Sequence, residues 1–241
     1  MSAAVIPITA FALGTWQVQR LKWKSELIAK CEDRIVRPPL PLPARIDPTA
    51  IADFDYRRVY AIGRFRHDKE MLIGPRVRDG EQGYMVVTPL EREGDPGATV
   101  LVNRGWISKK LANQSKRPEG LPRGEVRVEG MLREPWKKNM FTPDNVPEKG
   151  EFYFPDVVQM AALTGSQPVW VEQTMGGFPL LFVAKRCHLS RLSPFPVREL
   201  TRDITELDYT QLLEREAKGI PIGRAPEVNL RNNHAQYIFT W

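Results

Sequence analysis

Apolar residues follow two different patterns along the chain. At the N-terminus they run almost unbroken: "AAVIPITAFALGTW", residues 3–16, carries no charge. The next stretch, Trp16 to Val36, mixes good helix formers with charges at helical spacing and predicts one continuing helix. "RPPLPLPARIDP" should end it, because proline removes a backbone donor and clashes with the preceding turn. That segment is expected to be extended, polyproline-like, and to lead into a separate domain.

From Tyr56 to Trp136 the pattern shortens to β-rich runs: "RRVYAIGRF", "EMLIGP", "GYMVVTPL", "TVLVNRGWI" and "EVRVEGMLR". "RDGEQG" and "REGDPGA" read as turns between them. "FPDVVQMAALTG" predicts a short helix, "QPVWVEQT" a final strand, and "TQLLEREAKGI" a helix ended by Gly219 and Pro221. The stretch 182–204 has neither period and many bases; it reads as an atypical insertion with no assigned role. The fold expected is α+β, a small antiparallel, barrel-like β domain flanked by two membrane helices.

The evidence for membrane helices lies at the chain ends. The first apolar run is shorter than the about 20 residues a span needs, and it lacks the basic opening and small-residue close of a signal peptide. Trp16 followed by "RLKWK" is how a helix leaves a bilayer, with an aromatic belt and snorkelling bases. "NNHAQYIFTW" at the other end turns apolar and aromatic where the chain stops. The expectation is a membrane protein whose two spans are both truncated. Residues 1–37 are then the end of the first membrane helix with its extension, 38–55 a Pro-rich linker, 56–228 the β domain, and 229–241 the start of the second membrane helix.

Charge adds little. A net charge of +6 and a pI near 9.4 are too mild to require a polyanion partner, and the strands do not gather aromatics and bases on one face as a nucleic-acid binder would. Cys31 and Cys187 make no metal-binding spacing, and one bridge between them stays open. His67, His188 and His234 stand in unrelated contexts, and no HExxH, GxSxG or phosphate-binding glycine loop occurs. The carboxylate pairs Asp53/Asp55 and Glu91/Glu93 flank turns, where solvation accounts for them. An enzyme is disfavoured.

Two blocks carry more. In "VNRGWIS", Val102, Arg104 and Trp106 share one strand face and Asn103, Gly105 and Ile107 the other. A glycine between such neighbours predicts a bulge or a close backbone approach, and packing is the favoured role. At the C-terminus, an Asn232 or Asn233 cap would place His234, Tyr237 and Trp241 at i, i+3 and i+7, on one helix face. A neutral imidazole there is either an axial ligand for haem iron or an interfacial anchor beside Tyr237. Trp16 with Arg20 reads as an interfacial anchor.

"LGTWQVQRLKWKSELI", "YRRVYAIGRF", "GYMVVTPL", "VLVNRGW", "VRVEGMLR" and "NNHAQYIFTW" occur in the order seen in the surfeit-locus cytochrome oxidase assembly family, the Surf/Shy proteins. The resemblance runs from Leu13 to Trp241, omits the insertion, and is strongest to fungal members. It implies a non-enzymatic, chaperone-like factor of the mitochondrial inner membrane, with two spans and its globular domain in the intermembrane space. Such a factor assists haem a insertion into the catalytic subunit of cytochrome c oxidase or stabilises that subunit. The alternative is a haem-independent membrane scaffold that holds oxidase assembly intermediates. Implied partners are the catalytic subunit, other assembly factors and membrane lipid, with no nucleic acid.

The family's proposed haem a ligand matches His234, its tyrosine Tyr237, and its Trp-Gln pair Trp16 and Gln17. The binding site expected from this adds Trp241 to the aromatic wall and sets Arg20 against a haem propionate, with haem a bound transiently. Three features depart from the family: both spans are short with no presequence, the insertion has no counterpart, and "RLKWK" alone would hold its end on the matrix side.

Overall fold

In this computed structural model the described residues are 5–92, 97–175, 209–228 and 230. The insertion and the C-terminal residues His234, Tyr237 and Trp241, where the sequence predicts the start of a second membrane helix, lie outside these. Pro38–Pro226 forms one compact unit, and the N-terminal helix belongs to another.

That helix, α1, runs Val5–Val36 without a break. At 1.5 Å per residue it is about 48 Å long. Its first turns leave Val5, Ile6, Ile8 and Phe11 exposed. Among the described residues no helix is long and apolar enough to cross a membrane.

The larger unit is built on strands β1 (Leu40–Pro41), β2 (Arg58–Phe65), β3 (Met71–Arg78), β4 (Glu81–Glu91), β5 (Val100–Ser108), β6 (Glu125–Arg133) and β7 (Gln167–Gln173). They form one sheet in the order β1-β2-β6-β7-β5-β4-β3, and β2 also pairs with β4. The sheet therefore closes on itself as the ring β2-β6-β7-β5-β4, a small barrel. A ring with an odd number of strands cannot alternate direction all the way round. One neighbouring pair must be parallel, and here it is β5–β7, with Leu101, Val102 and Asn103 beside Trp170, Val171 and Glu172. The all-antiparallel sheet expected from the short runs is corrected at that pair. The crossover that parallel neighbours need runs from Ser108 to Gln167, by way of β6 and the long segment after it.

Side-chain alternation fills the barrel. Val59, Ala61, Leu90, Val100, Val102, Val128, Leu132, Val169 and Val171 point inward as one cluster, with Ile51 packed in. Their outward neighbours Leu101, Val87 and Trp170 form a second cluster with Met71, Ile73 and Phe152, covered by helix α2 (Val157–Thr164). The predicted helix forms because Val157, Met160, Ala161 and Thr164 recur at helical spacing and face the sheet. The Asp156 side chain accepts from Gln159 N–H at its start, and Gly165 ends it in the left-handed region.

Two turns differ from the sequence reading. "RDGEQG" contributes only Asp79-Gly80 to a turn, both with positive φ. This tight hairpin matches the strand twist, so β4 begins at Glu81. The Pro-rich segment is extended as expected, but it joins the barrel. Leu40 and Pro41 pair in parallel with Val59 and Tyr60, and Asp47 caps a 3-10 turn at Pro48–Phe54. Buried Arg92 secures this segment. Its guanidinium donates to the carbonyls of Ala98 at 2.6 Å, Leu42 at 2.9 Å, Pro43 at 2.7 Å and Ala44 at 2.8 Å. Helix α3 (Tyr209–Ala217) precedes a final stretch that returns to β5, ending at Gly219 as predicted.

Replacing Arg92 by Met should destabilise the domain by about 2–4 kcal/mol, through carbonyls left without donors. It should also speed trypsin cleavage after Arg45; a cleavage rate equal to wild type would contradict the clamp.

Candidate functional site

The centre of β5 does not alternate as a regular strand would. Val86 lies opposite Gly105 and Val87 opposite Asn103, so Arg104 is the extra residue of a bulge. Gly105 has φ +117°, and a Cβ there would fall 1.9 Å from the Ile222 carbonyl oxygen. Both the bulge and the close backbone approach expected at Gly105 are present. Trp106 and Ile222 exchange backbone hydrogen bonds, each 2.9 Å. On the other side of this returning stretch, Arg224 N–H donates to the Gln173 carbonyl at 3.0 Å, and a Cβ on Gly223 would lie 2.5 Å from the same oxygen. Residues 222–224 thus form a wedge between β5 and β7, where those strands part beyond Asn103 and Glu172.

The bulge delivers Arg104 into a buried charge cluster. Glu70 pairs with Arg117, whose side chains are 3% and 0% exposed. Gln114 Nε2 donates to Glu70 Oε1 at 3.2 Å and to the His67 carbonyl at 2.8 Å. Arg104 lies 4.6 Å over the Phe65 ring, and its Nε and Nη1 are buried without a hydrogen-bond partner. Burial pushes Arg104 down to about 10, with Glu70 opposing the shift and Arg117 adding to it. The guanidinium remains charged at neutral pH, so two buried cations share one carboxylate. None of this was visible in the sequence, because Glu70, Arg104 and Arg117 lie on three segments with no spacing that links them.

Of the residues singled out from the sequence, Trp16, Gln17 and Arg20 lie on α1. Trp16 is 51% exposed, Gln17 is buried, and the Arg20 guanidinium lies 4.0 Å above the Trp23 ring. Arg20 follows Trp16 by one helical turn, and its stacking on Trp23 was not assigned by the sequence reading. His234, Tyr237 and Trp241 are outside the described residues.

The haem site implied by the resemblance centres on His234, Tyr237 and Trp241, so it lies outside the described residues. The histidine among them, His67, has Nε2 hydrogen-bonded to the Pro122 carbonyl at 3.0 Å and Nδ1 buried without a partner. Among the described residues no three His, Cys, Asp or Glu side chains converge as a metal site.

Comparison with known proteins supplies the context for this geometry. The model of the SURF1 family matches residues 4–241. The chain is 36% identical over 270 residues to "Cytochrome oxidase assembly protein SHY1" of Saccharomyces cerevisiae, covering 98% of this chain and 69% of that protein. It is 37% identical over 251 residues to "Surfeit locus protein 1" of Mus musculus, with the same coverage of 98% and 69%. To "Surfeit locus protein 1" of Homo sapiens it is 35% identical over 252 residues, covering 98% and 70%.

Two substitutions separate the parts of the buried cluster. Glu70→Gln leaves Arg117 and Arg104 without a carboxylate and should cost about 3–5 kcal/mol in urea unfolding. Arg104→Met removes the surplus charge and should stay within about 1 kcal/mol of wild type; a larger loss would show that Arg104 stabilises the fold. Independently, Gly105→Ala should cost about 3 kcal/mol, because the clash is with backbone and φ is positive.

Proposed function

This chain belongs to the SURF1 family, and from that premise we propose that it is an assembly factor for cytochrome c oxidase in the mitochondrial inner membrane. The observation that carries the reading is similarity across 98% of the chain to a protein named for cytochrome oxidase assembly. A non-enzymatic role exerted through surfaces is supported by the relatives, which are named for oxidase assembly or for their gene locus and not for a reaction. The barrel interior is filled with aliphatic side chains, so the domain has its outer face and its two chain ends with which to hold a partner. The exposed apolar first turns of α1, followed by Trp16 and the bases of "RLKWK", support a membrane location for that end. The globular domain would then face the intermembrane space.

The finer reading concerns haem a. His234 is the proposed iron ligand, with Tyr237, Trp241 and Trp16 as the aromatic wall and Gln17 and Arg20 as polar neighbours. Its support is the resemblance of the C-terminal motif. A haem-independent scaffold that holds the oxidase catalytic subunit is the second reading, which needs only the outer face of the barrel and no ligand at His234.

One experiment distinguishes these readings. In cells lacking their own family member, the full-length protein should restore oxidase activity. His234→Ala should abolish rescue on the haem reading and preserve it on the scaffold reading. Failure of the wild-type protein to rescue, when present at normal levels in mitochondria, would count against oxidase assembly itself. In detergent, a haem a titration followed in the Soret band should give a ligand-type spectrum that His234→Ala loses, if haem is bound.

A further inference from the structure

The outer face of the barrel carries a cleft of about 310 Å³, between β3, β5 and β7 and the loop that follows β6. Its volume is at the small end of the roughly 300–1,000 Å³ of ligand sites, enough for one large side chain. Ile73, Met85 and Phe154 line it, together with the indoles of Trp136 and Trp170. The two indoles meet edge to face, with centroids 5.7 Å apart and planes at 87°. Buried Glu172 sits at its base, and Arg224 Nη1 already reaches its Oε2 at 3.3 Å.

The rim has the opposite sign. Arg76 donates to the carbonyls of Pro75 and Tyr153, at 3.4 and 3.0 Å, and makes no ion pair among the described residues. Lys137 is exposed and has no ion pair among them either. A cation entering the cleft would meet Arg76 and Lys137, and would find Glu172 taken. An anion meets two uncompensated bases.

Beside the cleft, the chain holds two large apolar residues in water. Met140 is 88% exposed and Phe141 85%. The turn presenting them is built to do so: Phe141 N–H donates to Asn139 Oδ1 at 3.3 Å, Thr142 N–H to the Asn139 carbonyl at 3.0 Å, and Lys138 pairs with Asp144 across its base. Asn139 and Thr142 also line the cleft. A protruding apolar pair next to an aromatic-lined hollow, with a charged rim, is the anatomy of a protein interface centred on one buried anchor.

We propose that this cleft and the Met140–Phe141 turn are a docking site for an acidic segment of a partner protein, which seats one apolar side chain against Met85, Phe154 and Trp136, the indole that packs on buried Trp170, and sets a carboxylate against Lys137 and Arg76. A bilayer surface would cover the turn but leave the cleft unused. The inference stands on this chemistry and does not rest on the oxidase reading.

The test uses the full chain in detergent and two small probes, N-acetyl-L-phenylalanine and its neutral amide. Both are followed in the indole N–H region of a ¹⁵N-¹H correlation spectrum. The carboxylate should shift the Trp136 and Trp170 signals saturably and bind about threefold more tightly than the amide, the scale of an exposed charge pair. A folded Arg76→Gln/Lys137→Gln variant, checked by its unshifted indole pattern, should lose that preference. No saturable shift, equal affinities, or an undiminished preference in the variant would each overturn the proposal. In a second arm, flotation with phosphatidylglycerol–phosphatidylcholine vesicles should be the same for wild type and Met140→Ser/Phe141→Ser. A drop in the variant would assign the turn to the bilayer and overturn docking of a protein segment there.

Discussion

The carbonyl of Ile222 occupies the space that any side chain on residue 105 would need. Much else in the β domain depends on that contact. An odd-stranded ring requires one parallel pair, here β5–β7. β5 and β7 part beyond Asn103 and Glu172, and the gap would expose the backbone groups of Trp106 and Gln173. Residues 222–224 fill it, bonding to Trp106 on one side and to Gln173 on the other. Glycines at 105 and 223 let the backbones come that close. The wedge completes the barrel wall with residues that arrive more than a hundred positions after β5.

The bulge that accommodates the wedge has two consequences. It sends Arg104 inward to the Glu70–Arg117 pair, where desolvation of two cations is offset by one carboxylate and the Phe65 ring. It also leaves Asn103 and Glu172 as the last paired residues of their strands, at the base of the cleft whose rim carries Arg76 and Lys137. Barrel closure, the buried charge cluster and the outer cleft are therefore three results of one local geometry. The interior, filled by valines and leucines, leaves the chemistry to the outside and to the chain ends.

Much of the fold was legible in the sequence. The strands could be read because their inward positions are β-branched and their ends carry Gly, Pro or Asp. α2 could be read because Val157, Met160, Ala161 and Thr164 keep helical spacing between an Asp cap and Gly165. Gly105 could be read because a glycine among bulky strand residues has few other uses. The parallel β5–β7 pair could not, since strand direction follows from ring closure and not from any residue in β5. The attachment of the Pro-rich segment was hidden for a similar reason: Arg92 lies in a distant strand end, and its four acceptors are carbonyls, which leave no trace in side-chain identity. Of the candidate site, α1 carries Trp16, Gln17 and Arg20 as the helix pattern required. Trp23 as the partner of Arg20 could have been found from the i, i+3 spacing alone. The Glu70, Arg104 and Arg117 cluster had no such signal.

Hydrogen exchange at the backbone amides of Ile222 and Arg224 tests most directly whether the wedge is part of the barrel wall. If it is, these amides should open only with the whole domain, and their protection should lie within about tenfold of that of the β6 amides. Exchange faster than β6 by about a thousandfold or more would mean that the returning segment lifts off by itself. The barrel would then close without it, and Gly105 would have no part in holding the wall together.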